Sequence, residues 1–270
     1  MSEPADPNYD WYPEIEDEFQ ALLDESLSPR GPEMLFELVG GFGLDSRAVA
    51  VDVGCGEGRH AIELADHFGF AVTGIDPSLR SIEIARGRPA SAVKGSARFE
   101  VAGAESIPFE DGSVDLVWCR DSLVHVADLD SAYREFRRVM REGGRALVYQ
   151  SCLATDRLEP KEQSQVLEGL GVLPSSTDAA RHELAIARAG LEIDEQLDVG
   201  LEWGEYSQEK DGSGGRRLTH VARLLRAPDL YVGRYGQQAY DVMLADCLWH
   251  VYRLLGKLDA RVYVLQAAGP

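Results

Sequence analysis

The stretch VDVGCGEGRH, residues 51–60, places Asp52 just ahead of three alternating glycines, Gly54, Gly56 and Gly58, with Cys55 between the first two. Alternate glycines strip Cβ atoms from a turn, so the backbone can pass close beneath a ligand. A helix that starts there adds its free N–H groups at the same spot. A second acid, Asp76, closes the next apolar run 22 residues after Gly54, followed by Pro77. At a strand end such an acid can accept hydrogen bonds from ribose hydroxyls. The chemistry these residues fit is nucleotide binding. The dinucleotide fingerprint G-x-G-x-x-G is not met, because the spacing is G-x-G-x-G and Arg59 follows it. Further on stands His125, a residue type that can take a proton from a hydroxyl or an ammonium near neutral pH.

These residues need a sheet to position them. Residues 48–53 are a continuous apolar run with a single acid, which fits a strand covered on both faces. Further strands are expected at 70–76, 97–102, 114–119 and 145–150, separated by stretches of helical period. The stripe Leu129, Ala132, Tyr133, Phe136, Val139 and Met140 marks one of those helices, with Gly143-Gly144 as its stop. Regular alternation of this kind predicts a parallel sheet built from right-handed crossovers. The expected fold is therefore α/β and doubly wound, a mostly parallel seven-stranded sheet with an edge antiparallel strand and helical lid insertions. Residues 1 to about 15 carry three prolines and are expected to be irregular, followed by helices at 16–23 and 32–39. Beyond residue 150 the reading is a helical excursion over 153–190 and a strand over 191–203. KDGSGG (210–215) reads as a flexible loop, helices follow at about 216–226 and 236–255, and the final strand lies at an edge. The expected division is an N-terminal helical cap (1–45), a binding core (46–150), and lid helices with C-terminal strands completing the same sheet (151–270).

Composition narrows the partners. The formal net charge is −19, so a nucleic-acid backbone is repelled by most of the surface. No apolar run reaches the roughly 20 residues that span a bilayer, and the acidic start does not resemble a signal peptide. Four widely spaced cysteines form no CxxC pair and read as free thiols of a reducing compartment. The expected location is the cytoplasm, as a monomer or homodimer, with no metal site.

The segments VDVGCGEG, GIDPS, GAESIPFEDGSVDLVWC, SLVHV and VMREGGRALV, in that order over about residues 46–150, resemble the class I S-adenosylmethionine-dependent methyltransferases. The pattern is most similar to the small-molecule branch that includes ubiquinone-type and natural-product enzymes. The resemblance implies that Asp52 and the Gly54–Gly58 loop, Cys55 included, lie against the methionine end of S-adenosylmethionine. It implies that Asp76, with Pro77, lies at the ribose, and that Cys119 and Arg120 offer backbone carbonyls to the methionine amine. The family's Asp-Ala pair at the adenine is Gly103-Ala104 here. Ala104 keeps a backbone contact, and Glu105 or a water takes the place of the missing carboxylate. His125 matches a histidine that often faces the acceptor, as a base or only to orient it.

The aromatic and polar residues expected around the acceptor are Tyr9, Trp11, Tyr12, Gln150, Cys152, Trp203, Tyr206, His220, Tyr231 and Trp249, a set suited to a flat or apolar molecule. The resulting expectation is methyl transfer to a small-molecule acceptor, first of all O-methylation of a secondary metabolite, leaving S-adenosylhomocysteine. N- or C-methylation of a small amine, amino acid or metabolite is the alternative. Two readings of other classes are a nicotinamide-dependent oxidoreductase, disfavoured by the glycine spacing, and a non-catalytic S-adenosylmethionine-binding regulator.

Overall fold

A computed structural model describes residues 7–88, 94–153 and 157–268, with the side chains of 7–14 left aside. Seven strands form one sheet: β1 (Val49–Val53), β2 (Ala71–Asp76), β3 (Ser96–Val101), β4 (Val114–Arg120), β5 (Met140–Leu153), β6 (Leu191–Asp198) and β7 (Leu258–Ala267). Their order is β3-β2-β1-β4-β5-β7-β6. β1 to β5 run parallel, whereas β7 is antiparallel to both β5 and β6. The antiparallel strand thus lies one place inside the edge, which β6 occupies.

β1 is central and its residues alternate between two cores. Val51 and Val53 join one layer with Tyr133 and Phe136 of α5 (Leu129–Val139) and Ile186 of α7 (Ala179–Arg188). Ala50 joins the other with Leu35 of α2 (Met34–Gly41), Leu64 of α3 (Arg59–Phe68) and Ile82 of α4 (Leu79–Gly87). By this period of two, Asp52 faces α3.

α1 (Pro7–Leu23) begins well before residue 16, so the expected irregular start is corrected. Its first residue is a proline, a residue that helices accept in their first turn because that N–H has no intrahelical partner. The described part of α1 exposes Ile15, Phe19, Leu22 and Leu23. α5 ends at Val139 without help from Gly143-Gly144. Those glycines form an irregularity at the start of β5, where the register against β4 shifts between Val114 and Leu116. A Cβ on Gly144 would approach the carbonyls of Arg141 and Val114 to 3.0 and 3.1 Å.

The last third departs further from the periodicity. β6 stops at Asp198, and residues expected to continue it form α8 (Glu202–Asp211). KDGSGG is the joint between α8 and α9 (Ser213–Arg226), with Gly212 at φ +71° capping the first. A further short helix, α10 (Pro228–Tyr235), precedes α11 (Gln237–Leu254). With α6 (Pro160–Leu170), α9 and α11 build a third apolar cluster over the ends of β4 and β5, including Val124, Val166, Leu224 and Leu248. Among the described residues no helix is long and apolar enough to cross a membrane.

Candidate active site

Strand order reverses between β1 and β4, and in open parallel sheets ligands bind outside the strand ends at such a point. The glycine loop follows β1 there. The N–H groups of Gly54 and Cys55 both donate to the Ile75 carbonyl at 2.8 and 2.9 Å, which folds the loop back over β2. Gly56 N–H donates to Oδ2 of Asp76 at 3.0 Å, and Oδ1 accepts from Ser78 N–H at 2.8 Å. Asp76 therefore ties the loop to the start of α4 and keeps lone pairs on its half-buried carboxylate for a ligand.

The three glycines have three different reasons. All have positive φ, +72°, +53° and +82° in order. A Cβ on Gly54 would overlap Ser122, whose hydroxyl donates to the Val53 carbonyl at 3.0 Å. A Cβ on Gly58 would press into the Phe99 ring. Above Gly56 there is nothing within 4 Å, and this is the open rim of the loop. Cys55 points down instead, packed against Gly74, its thiol pushed up by burial and by the nearby Asp52 and Asp76.

Asp52 is buried, with one oxygen, Oδ2, lacking any hydrogen-bond partner. Burial pushes its carboxyl up to about 7, against the opposing pull of the Ala61 N–H and Arg120. Ala104 is buried and Glu105 exposed. The Glu105 carboxylate lies 3.2 Å from the point a Cβ on Gly103 would occupy, so it stands in the space of the missing side chain. That loop is held by Arg138 and Glu135: Arg138 donates to the Phe109 and Ile107 carbonyls, and Glu135 accepts the Ile107 N–H. Pro77 is exposed beside Asp76.

At the end of β4, Cys119 is buried, its thiol pushed up to about 12 by burial and lying 3.1 Å from the Ser122 hydroxyl. Arg120 sits over the Trp203 ring, 5.0 Å from its centroid, and hydrogen-bonds His60 Nε2. His60, in the first turn of α3, is half-buried. Burial, then the charges of Arg120 and Arg59, push it down to about 3, so the neutral ring accepts from Arg120.

Beyond Arg120 opens a cavity of about 320 Å³, with His125, Trp203 and Trp249 in its wall. His125 closes a short 3-10 turn over Leu123–His125, and its Nδ1 is 3.0 Å from the Gly171 carbonyl. Trp203 stacks on Tyr149 at 4.1 Å between centroids. The other expected acceptor residues lie elsewhere. His220 and Tyr231 line a separate apolar groove with Tyr235, Tyr240 and Met243. Tyr206 packs by Gly31 and Lys210. Gln150 and Cys152 are buried within β5, and the side chains of Tyr9, Trp11 and Tyr12 lie outside the described residues. The cavity is also more polar than expected, because Arg120, Asp121, Asp246, His250 and Arg253 share it. Sequence reasoning missed Arg253, which reads as a cation at a helix C-terminus. It also missed Asp121, whose left-handed φ of +54° only the structure shows.

Residues 51–148 match the model of the methyltransferase domain family. The chain carries a methyltransferase domain. Around that domain it is similar to the O-methyltransferase resE of Aspergillus sclerotiorum, 33% identical over 150 residues, 55% of this chain and 56% of the relative. It is also similar to the 27-O-demethylrifamycin SV methyltransferase of Amycolatopsis mediterranei, 30% identical over 180 residues, 63% and 65% of the two chains. The chain thus spans less than two thirds of these curated relatives. Among solved structures, phosphoethanolamine N-methyltransferase 2 of Haemonchus contortus, in complex with S-adenosyl-L-methionine, superposes with a TM-score of 0.63. The alignment is 20% identical and covers 91% of this chain and 55% of that one. The sheet is the Rossmann-like methyltransferase fold, and the methyltransferase domain places its glycine loop at the switch point.

Proposed function

We propose that this protein transfers a methyl group from S-adenosylmethionine to a small molecule. The observation that carries the reading is the glycine loop of the methyltransferase domain, bonded to Asp76 through Gly56 N–H and left open above Gly56. The residues fit the donor: Asp52 Oδ2 is a buried acceptor without a partner, and Asp76 keeps lone pairs. Asp52, Gly54, Cys55, Gly56 and Gly58 would hold its methionine end, together with the Cys119 and Arg120 carbonyls. Asp76 and Pro77 would hold the ribose, and Ala104 and Glu105 the adenine, Glu105 filling the place left by Gly103. When bound, the donor supplies a methyl on a positively charged sulfur, which leaves by in-line displacement. The chain's part is alignment, because effective molarity rather than acid–base strength dominates such a step. His125, held by the Gly171 carbonyl, orients the acceptor and can take its proton from the cavity side.

O-methylation of a secondary metabolite is the first choice, favoured by two curated relatives whose names carry an oxygen-directed methyltransferase activity. The free, buried cysteines favour a cytoplasmic setting. Calorimetry tests the donor: S-adenosylhomocysteine should bind while NADH should not, and Asp76→Ala should weaken binding by roughly 1–3 kcal/mol. Binding of NADH in its place would overturn the reading.

A further inference from the structure

The cavity beside His125 contains a cation that the protein itself leaves incompletely satisfied. Arg253, from the last turn of α11, is only 8% exposed. One of its terminal nitrogens donates to Ser151 Oγ at 2.8 Å, and the nearest carboxylate oxygen, on Asp121, is 3.9 Å away. Its Nε is buried with no partner. A buried charge is expensive unless paired and hydrogen-bonded, so the site is short of one acceptor. Across the cavity Arg120 has no carboxylate within ion-pair distance among the described residues. Its partners are the neutral His60 ring and the faces of Trp203 and Tyr149. The Tyr149 hydroxyl, near Ser151, is also buried without a hydrogen bond of good geometry.

The acids of the cavity are already engaged. Asp246 pairs with Arg217 at 2.8 Å and lies 3.8 Å from His250, whose ring is pushed towards the neutral form chiefly by burial. Asp121 accepts the Ser151 N–H at 3.1 Å and faces Arg253. An ammonium would have to displace these partners and would meet two guanidinium groups. An anion would complete three donors at once.

We infer that the acceptor enters this cavity bearing a carboxylate or phosphate, which binds between Arg253 and Arg120 and takes the Tyr149 hydroxyl. Trp203 and Trp249 then cover the rest of the molecule, and its reacting atom is presented on the His125 side. This rests on the methyltransferase reading and names the acceptor's charge class. The overall charge of −19 opposes anions at long range, so the two arginines act as a local selectivity filter rather than through the field of the whole chain.

The test is calorimetric titration of the full chain, saturated with S-adenosylhomocysteine, with benzoate, phenyl phosphate and benzamide. Either anion should bind at least about tenfold more tightly than the neutral amide, and the preferred one tells a carboxylate site from a phosphate site. Arg253→Gln should abolish that preference while S-adenosylhomocysteine still binds. If Arg253→Gln does not fold, the wild-type ranking alone decides. Benzamide binding as well as both anions, or no anion binding at millimolar concentration, overturns the inference. Loss of S-adenosylhomocysteine binding in the wild type would instead sink the donor reading.

Discussion

At the residue scale, the three loop glycines separate packing from ligand access. Gly56→Ala should cost roughly 1–2 kcal/mol for its left-handed backbone, and the folded variant should lose S-adenosylhomocysteine affinity because its methyl fills the open rim. Gly54→Ala adds an overlap with Ser122 to the same backbone cost, about 1–3 kcal/mol more, and should melt lower than Gly56→Ala. Denaturant titration beside calorimetry tells the two apart; equal stability of the variants would contradict the Ser122 packing. Asp52 makes its own prediction. Its carboxyl is buried and titrates at about 7, so a ligand donor meeting Oδ2 favours the ionised form. S-adenosylhomocysteine binding near pH 7 should therefore release protons, read as a dependence of the heat on buffer ionisation enthalpy. Asp52→Asn should remove that dependence.

At the element scale, α6 and α11 meet through small residues. A Cβ on Gly169 of α6 would overlap the Ala245 methyl on α11, and the Asp241 carbonyl lies at 3.1 Å. The two helices cannot separate without moving Leu170 and Trp249, which wall the cavity. Gly169→Ala should consequently loosen the helical cover, lowering methyl transfer several-fold while S-adenosylhomocysteine affinity stays within about twofold, since the glycine loop belongs to another layer. A parallel fall in both would show that the cover and the loop are one unit. Arg30 plays a comparable part from the N-terminal side, pairing with Glu202 at the start of α8, next to Trp203.

For the whole molecule, buried ionisable groups set opposing pH dependences. Asp52 is raised from 3.8 to about 7, so between those values the native state holds a proton the unfolded chain has lost. Its contribution is full at low pH and fades as pH rises through 7, on the order of 4 kcal/mol in all. His60 is lowered from 6.5 to about 3, and His182 and His250 are lowered as well, chiefly by burial. Their contribution is full above 6.5 and is lost as pH falls. Both windows lie on the acid side, 3.8 to about 7 for Asp52 and 6.5 down to about 3 for His60, so they oppose each other there. In thermal melting across pH 4–9, Asp52→Asn should steepen the fall in stability below pH 7 and His60→Gln should flatten it. An unchanged profile in both variants would remove these groups from the balance.

The sequence by itself determined the sheet, the glycine loop and Asp76, because each depends on local order: apolar runs, alternate glycines and an acid closing a strand. Gly103 was legible as a departure, and only the fold showed the Glu105 carboxylate in its place. The last third was misread where local signals conflicted, as when β6 stopped at Asp198 and the glycines of 212–215 formed a helix joint instead of a loop. Tertiary structure alone decided the cavity beside His125. Arg120, Tyr149, Trp203 and Arg253 come from strands and helices far apart in the chain, and their approach depends on how α8 and α11 settle over β4 and β5. A periodicity reports which face of an element is apolar; it carries no record of which distant element will cover that face, or of which buried charge will be left short of a partner.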